Sequence, residues 1–178
     1  MTEFEPLSGP TYPNTLEEQL AALEGDAQLA RFREERERLS ADEYRPLYHF
    51  SPPENHLNDP NGLCRWNGRY HMFYQFWPAD TDRVHWGHAV SDDMVHWEDL
   101  PVAIYPTTEK DCFSGQTMVE ADRVVAIYHG TQSGNAIATA SDPLLLNWEK
   151  HPNNPVIPIA PDGEPYRVFD PCIWREED

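Results

Sequence analysis

Ala89-Val90-Ser91-Asp92 running on to Trp97-Glu98, and Thr139-Ala140-Ser141-Asp142 running on to Trp148-Glu149, are one pattern written twice. The serines lie 50 residues apart (91 and 141) and the tryptophans 51 (97 and 148). Upstream, Asn61-Gly62 leads to Tyr74 and Ser114-Gly115 leads to Tyr128, the two glycines 53 apart (62 and 115). Short β-like runs bounded by Asn, Asp, Gly and Pro fill the intervals. Arg69 to Phe76 reads as a strand entered through the Asn67-Gly68 hairpin signal. Thr117 to Glu120 and Arg123 to His129 read as a second hairpin around Ala121-Asp122. Four strands in a period of about 50 residues is the arithmetic of a β-propeller blade. Residues 48–178 hold about two and a half such units, with Asp170-Pro171-Cys172-Ile173-Trp174 as the first strand of a third, whereas propellers close with about four to eight. The expectation is an all-β fold, part of a propeller, read as an N-terminal portion.

Ahead of the repeat the texture differs, which sets the expected division at 1–46 and 47–178. Pro6, Pro10 and Pro13 punctuate a loose tail, and Thr15 to Leu39 predicts helix. Thr15-Leu16-Glu17-Glu18 has the form of a capping box, with threonine and glutamate each satisfying an end amide. Leu16, Leu20, Leu23 and Ala27 recur at helical spacing, and Gly25-Asp26 divides the stretch in two. Arg31 to Arg38 reads as a solvated charged face.

Composition narrows the chemistry. Against 13 Lys and Arg stand 31 Asp and Glu, a formal charge of −18, so a nucleic-acid backbone or an anionic membrane is excluded as a partner. Aromatics at 12% argue for a packed, globular chain. Cys64, Cys112 and Cys172 are an odd set without a C-x-x-C pair, which predicts free thiols. The first 30 residues are acidic and show no apolar signal core, so the default expectation is a cytoplasmic setting. His85, Trp86, Gly87 and His88, with His71 and His96 nearby, fall in strand-and-turn sequence and predict ordinary hydrogen-bonded histidines, not a metal site. No glycine-rich phosphate loop is present, and no cofactor is expected.

Two aspartates fit a paired-carboxylate site at the centre of such a ring. Asp59 opens the first unit and Asp170 the third, 111 residues or about two periods apart. Each precedes a proline, which restrains the backbone that carries it. Asp-Pro by itself is also a common turn initiator.

Leu57-Asn58-Asp59-Pro60-Asn61-Gly62, Phe73-Tyr74-Gln75, Trp86-Gly87-His88-Ala89-Val90-Ser91, Val95-His96-Trp97-Glu98-Asp99-Leu100-Pro101 and Phe113-Ser114-Gly115 together resemble glycoside hydrolase family 32. That is the β-fructofuranosidase family of invertases, inulinases, levanases and sucrose-6-phosphate hydrolases. The resemblance covers residues 47–174 and leaves the helical segment unmatched. It implies a five-bladed propeller that hydrolyses terminal β-D-fructofuranosides with retention and without a metal. Asp59 matches the nucleophile and Asp170 the transition-state stabiliser. Asn58, Gln75, Trp86 and Ser114 match positions lining the fructosyl pocket, the indole as a flat apolar wall. The implied partner is a small or oligomeric β-fructoside: sucrose, its 6-phosphate, inulin and levan all remain open, as do transfer in place of hydrolysis and the oligomeric state.

Two departures stand out. Phe169 takes the place of the arginine that usually precedes the stabiliser, and Arg167, two places upstream on the same strand face, is the expected substitute. His56 replaces an indole before the nucleophile motif. The family's general acid lies in a Glu-Cys pair, and none occurs in the 178 residues, so this polypeptide by itself is expected to be inactive. An arabinan-type propeller glycosidase and a non-catalytic fructan-binding propeller are the alternative readings.

Overall fold

A computed structural model describes residues 4–176. Two helices, α1 (Leu16–Glu24) and α2 (Ala27–Leu39), precede nine strands. β1 (Leu57–Trp66), β2 (Arg69–Phe76), β3 (His85–Ser91) and β4 (Glu98–Ile104) form one antiparallel meander in sequence order. β5 (Cys112–Val119), β6 (Val124–Gly130), β7 (Gly134–Ala140) and β8 (Glu149–Lys150) repeat it, with β9 (Ile157–Pro158) also on β7. The protein is thus mostly β with two helices, and both predicted hairpins are present.

The Ser-Asp to Trp repeat marks a turn. Ser91 Oγ accepts from the Asp93 and Met94 amides, and Asp142 accepts from the Leu146 and Asn147 amides. Met94 and Leu145 each lie three residues before the tryptophan, with φ of 64° and 53°. The turn serine or aspartate bonds back to the chain, which holds a left-handed residue that an apolar side chain would otherwise avoid.

Strand alternation splits the core in two. Phe73 and Trp86 join Cys112, Tyr128, Ala136 and Leu145 between the sheets. Tyr74 and Phe76 turn to the other face and meet Leu23, Leu29, Phe32, Leu100 and Leu144 under the helices. His71 and His88 are buried together, with Nδ1 of one 2.9 Å from Nε2 of the other. His85 bonds instead to the Arg83 carbonyl oxygen.

The helical segment departs from its sequence reading in three ways. Its buried face is Gln19 and Leu23, then Leu29 and Phe32, while Leu16, Leu20 and Ala27 are exposed. At the cap, the Glu18 amide reaches Thr15 Oγ1, but the Glu18 carboxylate accepts from the threonine hydroxyl (2.6 Å), not from an end amide. The charged run is not wholly solvated: Phe32 is 1% exposed, Arg31 makes a bidentate pair with Glu54 (2.8 and 2.9 Å), and Arg36 makes one with Asp99. Helical periodicity locates a face, but the partner surface decides which face is covered, and here that surface is polar at its rim. Gln28 Oε1 accepts from the Val102 amide (2.7 Å), satisfying the outer edge of β4. Gln19, fully buried, donates to Pro13 O and Asp142 Oδ1 and accepts from the Leu144 amide, joining α1 to the second sheet.

The fourth strand of the second sheet is split into β8 and β9, and Asn154 bridges the gap by donating to and accepting from the Ile137 backbone (2.8 and 2.9 Å). Residues 170–174, predicted as a strand, form no ladder among the described residues. They run alongside β5, where the Ile173 amide donates to Gln116 Oε1 and Arg175 reaches Glu120.

Two stability measurements follow. Gln19→Leu leaves the Leu144 amide without its partner, and should cost about 2–4 kcal/mol by urea unfolding, against less than about 0.5 for exposed Glu17→Ala. Burial, with Arg69 adding to it, pushes His71 from 6.5 down to about 4, and burial beside His71 pushes His88 well down. The unfolded chain therefore takes up protons below pH 6.5 that the folded one refuses until about pH 4, so stability is full above 6.5 and falls towards 4. His71 alone removes about 2 kcal/mol by pH 5, at about 1.4 kcal/mol per pKa unit. The melting temperature should drop by at least about 4 °C from pH 7 to pH 5; a flat profile would refute a neutral buried pair.

Candidate active site

β1 and β5 lie side by side where the two sheets meet, and each departs from regular pairing at the same place. Leu57 pairs with Phe76 and Pro60 with Tyr74, so β1 spends three steps on two of β2. Cys112 pairs with Gly130 and Gly115 with Tyr128, the same one-residue excess. These are β-bulges, which bend a strand and re-aim a side chain. Asp59 sits in the first and Ser114 in the second. Pro60 fits a bulge because it has no amide to give to the ladder.

The bulges turn Asp59 and Ser114 towards each other. Ser114 Oγ donates to Asp59 Oδ2 at 2.5 Å, and Gln75 Nε2 donates to Ser114 Oγ (2.7 Å) and to Asp59 Oδ2 (3.3 Å). Gln75 is 3% exposed and its cross-strand partner is Trp86. Two donors converge on Oδ2, while Oδ1 accepts no hydrogen bond among the described residues. A carboxylate held by one oxygen and open at the other is arranged to meet an electrophile.

Close backbone approach is enforced just below. Thr117 Oγ1 donates to the Gly62 carbonyl (2.8 Å), a contact spanning the same 55 residues as that between Ser114 and Asp59. Gly62 has φ +52°, and a Cβ there would lie 2.7 Å from Thr117 and 3.1 Å from Phe73 and Trp86. At Gly115 a Cβ would lie 2.1 Å from the Ile127 carbonyl oxygen. Both glycines of the sequence repeat are therefore positions where only hydrogen fits.

The expected wall is corrected. Trp86 is 0% exposed, packed against Phe73 and Tyr128, and its Nε1 donates to the Phe113 carbonyl at 2.8 Å. Its indole offers no free face; it fixes the backbone next to Ser114. Trp77, which sequence reasoning passed over, is the aromatic at the Asp59 end of the first sheet, stacked on His56 at 4.3 Å between ring centres. Its signal was available, since it directly follows Gln75-Phe76. Asn58 is exposed. Asn61, also passed over, is buried with Nδ2 unpartnered two residues from Asp59.

Asp170 and Arg167 are exposed, and no described residue bonds to either side chain. Parity on a strand cannot place Arg167 beside Asp170, because residues 159–176 belong to no ladder. Arg167 lines a cavity of about 440 Å³ with Phe113, His129, Tyr166 and Phe169. The 170–175 segment runs parallel to β5 with contacts 57 and 55 residues apart in sequence, close to the offset between β1 and β5. Asp59 and Ser114 are thus joined across β1 and β5, while Asp170 lies on the segment beside β5 and shares no hydrogen bond with either.

Other reactive groups are committed elsewhere. Burial pushes the Cys64 thiol up to about 11 and the Cys112 thiol well above its ordinary value, so neither is a thiolate at neutral pH. Glu109, 2% exposed, accepts from Tyr128 (2.8 Å) and pairs with Lys150. Burial alone would raise its carboxyl, but the ammonium and its hydrogen bond hold it below the usual range. Glu109 is therefore a buried ionised anchor and not a proton donor.

Comparisons with known proteins identify the family. Residues 49–178 match the family model for the glycosyl hydrolases family 32 N-terminal domain. The chain is 39% identical over 153 residues to the levanase of Bacillus subtilis, covering 77% of this chain and 22% of the levanase. Fructan 1-exohydrolase IIa from Cichorium intybus has a similar structure, with a TM-score of 0.61 at 42% identity over 67% of this chain and 25% of that one. A β-fructofuranosidase of Bombyx mori gives 0.64 at 35% identity, over 86% of this chain and 36% of that one. The chain thus spans between 22% and 36% of the length of these proteins. The match across residues 49–178, with identities of 35% to 42% alongside, establishes that the chain belongs to glycoside hydrolase family 32.

Proposed function

We propose that this chain carries the fructosyl-binding part of an enzyme that hydrolyses terminal β-D-fructofuranosides, sucrose or fructans, with retention of configuration. The observation that carries the reading is the grip of Ser114 and Gln75 on one oxygen of Asp59. Asp59 Oδ1 attacks the anomeric carbon as its bond to the leaving oxygen breaks, giving a fructosyl-enzyme ester that water then hydrolyses. Asp170 stabilises the positive charge that builds on the ring between these states. Asn58 and Gln75 hold hydroxyls, and Trp86 acts from behind by keeping Ser114 in place. Support comes from relatives named as a levanase, a fructan exohydrolase and β-fructofuranosidases, and from a Bombyx mori enzyme mutant solved with sucrose.

The two sheets are, in this reading, the first two blades of a five-bladed propeller, with β1 and β5 innermost, and α1 and α2 are a clamp outside it. The general acid is supplied from outside these 178 residues, as the coverage of the relatives suggests. It protonates the leaving oxygen and later activates water, a contribution of about 10²–10⁴-fold. Binding falls to this chain; proton transfer does not.

Three results test the assignment. The 178-residue polypeptide should release no fructose from sucrose. In a polypeptide that also carries the acid, Asp59→Asn should lower kcat at least about 10³-fold, and turnover at the parental rate would end the assignment. Ser114→Ala, which frees the carboxylate to rotate, should lower kcat about 10–100-fold with KM little changed.

A further inference from the structure

Phe169 stands immediately before Asp170, and one pair of buried side chains grips it at both ends. Asn135 on β7 donates through Nδ2 to the Phe169 carbonyl at 3.0 Å. His129, its cross-strand partner on β6, stacks on the Phe169 ring with centres 4.9 Å apart and planes 15° from parallel. His129 Nδ1 lies 3.0 Å from Asn135 Oδ1. A carbonyl oxygen only accepts, so the amide group facing Phe169 is Nδ2; Oδ1 therefore faces His129, whose Nδ1 carries the proton. The chain of donors runs from His129 through Asn135 to Phe169. Both side chains are about 95% buried, so the pair is held rigidly.

The peptide plane that Asn135 fixes is the one that enters Asp170. On its other side Pro171 restricts the Asp170 backbone to extended conformations. Two residues further on, the Ile173 amide is tied to Gln116 on β5. Asp170 is thus an exposed carboxylate on an unpaired segment whose backbone is tethered on both sides. Without those tethers no ladder would hold it in place.

We infer that His129 and Asn135 are positioning residues for the Asp170 carboxylate, acting through Phe169 in a chain that lacks the usual arginine there. The inference rests on reading Asp170 as the transition-state stabiliser. It assigns to the second sheet the task of aiming a group that belongs to the following segment.

A double-mutant cycle on sucrose turnover, in the polypeptide that also carries the acid, tests it. Asn135→Asp keeps the shape of the side chain but removes the donor to Phe169. It should lower kcat about 10–100-fold, the range for a misaimed catalytic group, with KM within about threefold, and lower the melting temperature by a few degrees because a buried hydrogen bond is lost. Asp170→Asn should lower kcat further, and the double variant should be no slower than Asp170→Asn alone. Additive losses, or an Asn135→Asp protein with parental kcat, would overturn the inference. If Asp170→Asn itself keeps the parental kcat, the function assigned to Asp170 fails, and the inference with it. His129→Phe keeps a ring against Phe169 and deletes the Nδ1 donor; it reads the same cycle, with an expected loss of about 3–10-fold, should Asn135→Asp not fold. Nitrogen-15 spectra of the 178-residue chain should show the His129 proton on Nδ1, and an Nε2 proton would break the donor chain and refute the inference.

Discussion

The contact between β1 and β5 is the constraint on which the site depends. Ser114 reaches Asp59, and Thr117 reaches Gly62, only because both strands carry a bulge at the same level and a glycine just beyond it. A regular ladder would alternate these side chains above and below the sheet and separate them. The bulges are thus local irregularities repeated with the sheet, each giving up a ladder position to aim a polar side chain across the junction.

Under that junction lies a core that tolerates little change. Trp86 packs between the two sheets and hands its one polar atom to the Phe113 carbonyl. Glu109 and Lys150 tie the loop before β5 to β8. The helices bind the outside of the first sheet and, through Gln19, the turn of the second. Polar contacts in this protein mostly join elements far apart in sequence, so they fix relative placement where apolar packing supplies adhesion.

Much of this was legible beforehand. The 50-residue repeat revealed two meanders because a turn with a left-handed residue needs a Ser or Asp to hold it. The hairpins at Asn67-Gly68 and Ala121-Asp122 were legible because turn chemistry is local. The family likeness named Asp59, Gln75 and Ser114 as site residues, while the hydrogen bonds that join them came only with the bulges. What stayed hidden depends on tertiary context. Periodicity could not reveal that Gln19 would be buried and Leu20 exposed, because the covering surface offers an amide and a carboxylate. Nor could composition show that Trp86 would be sealed beneath the site. Same-face alternation between Arg167 and the Asp170 region needs a pleat, and a pleat exists only where a neighbouring strand makes one.

The outer margins of both sheets have a consequence for behaviour in solution. An exposed strand edge invites the edge of another molecule. Along β4 the Val102 amide is occupied by Gln28, and in the gap between β8 and β9 the Ile137 backbone is taken up by Asn154 and His151. A second chain approaching either margin finds part of its hydrogen bonding already used. A protein so rich in β-structure is thereby guarded against the edge-to-edge pairing that begins aggregation by amide side chains as well as by its charge of −18.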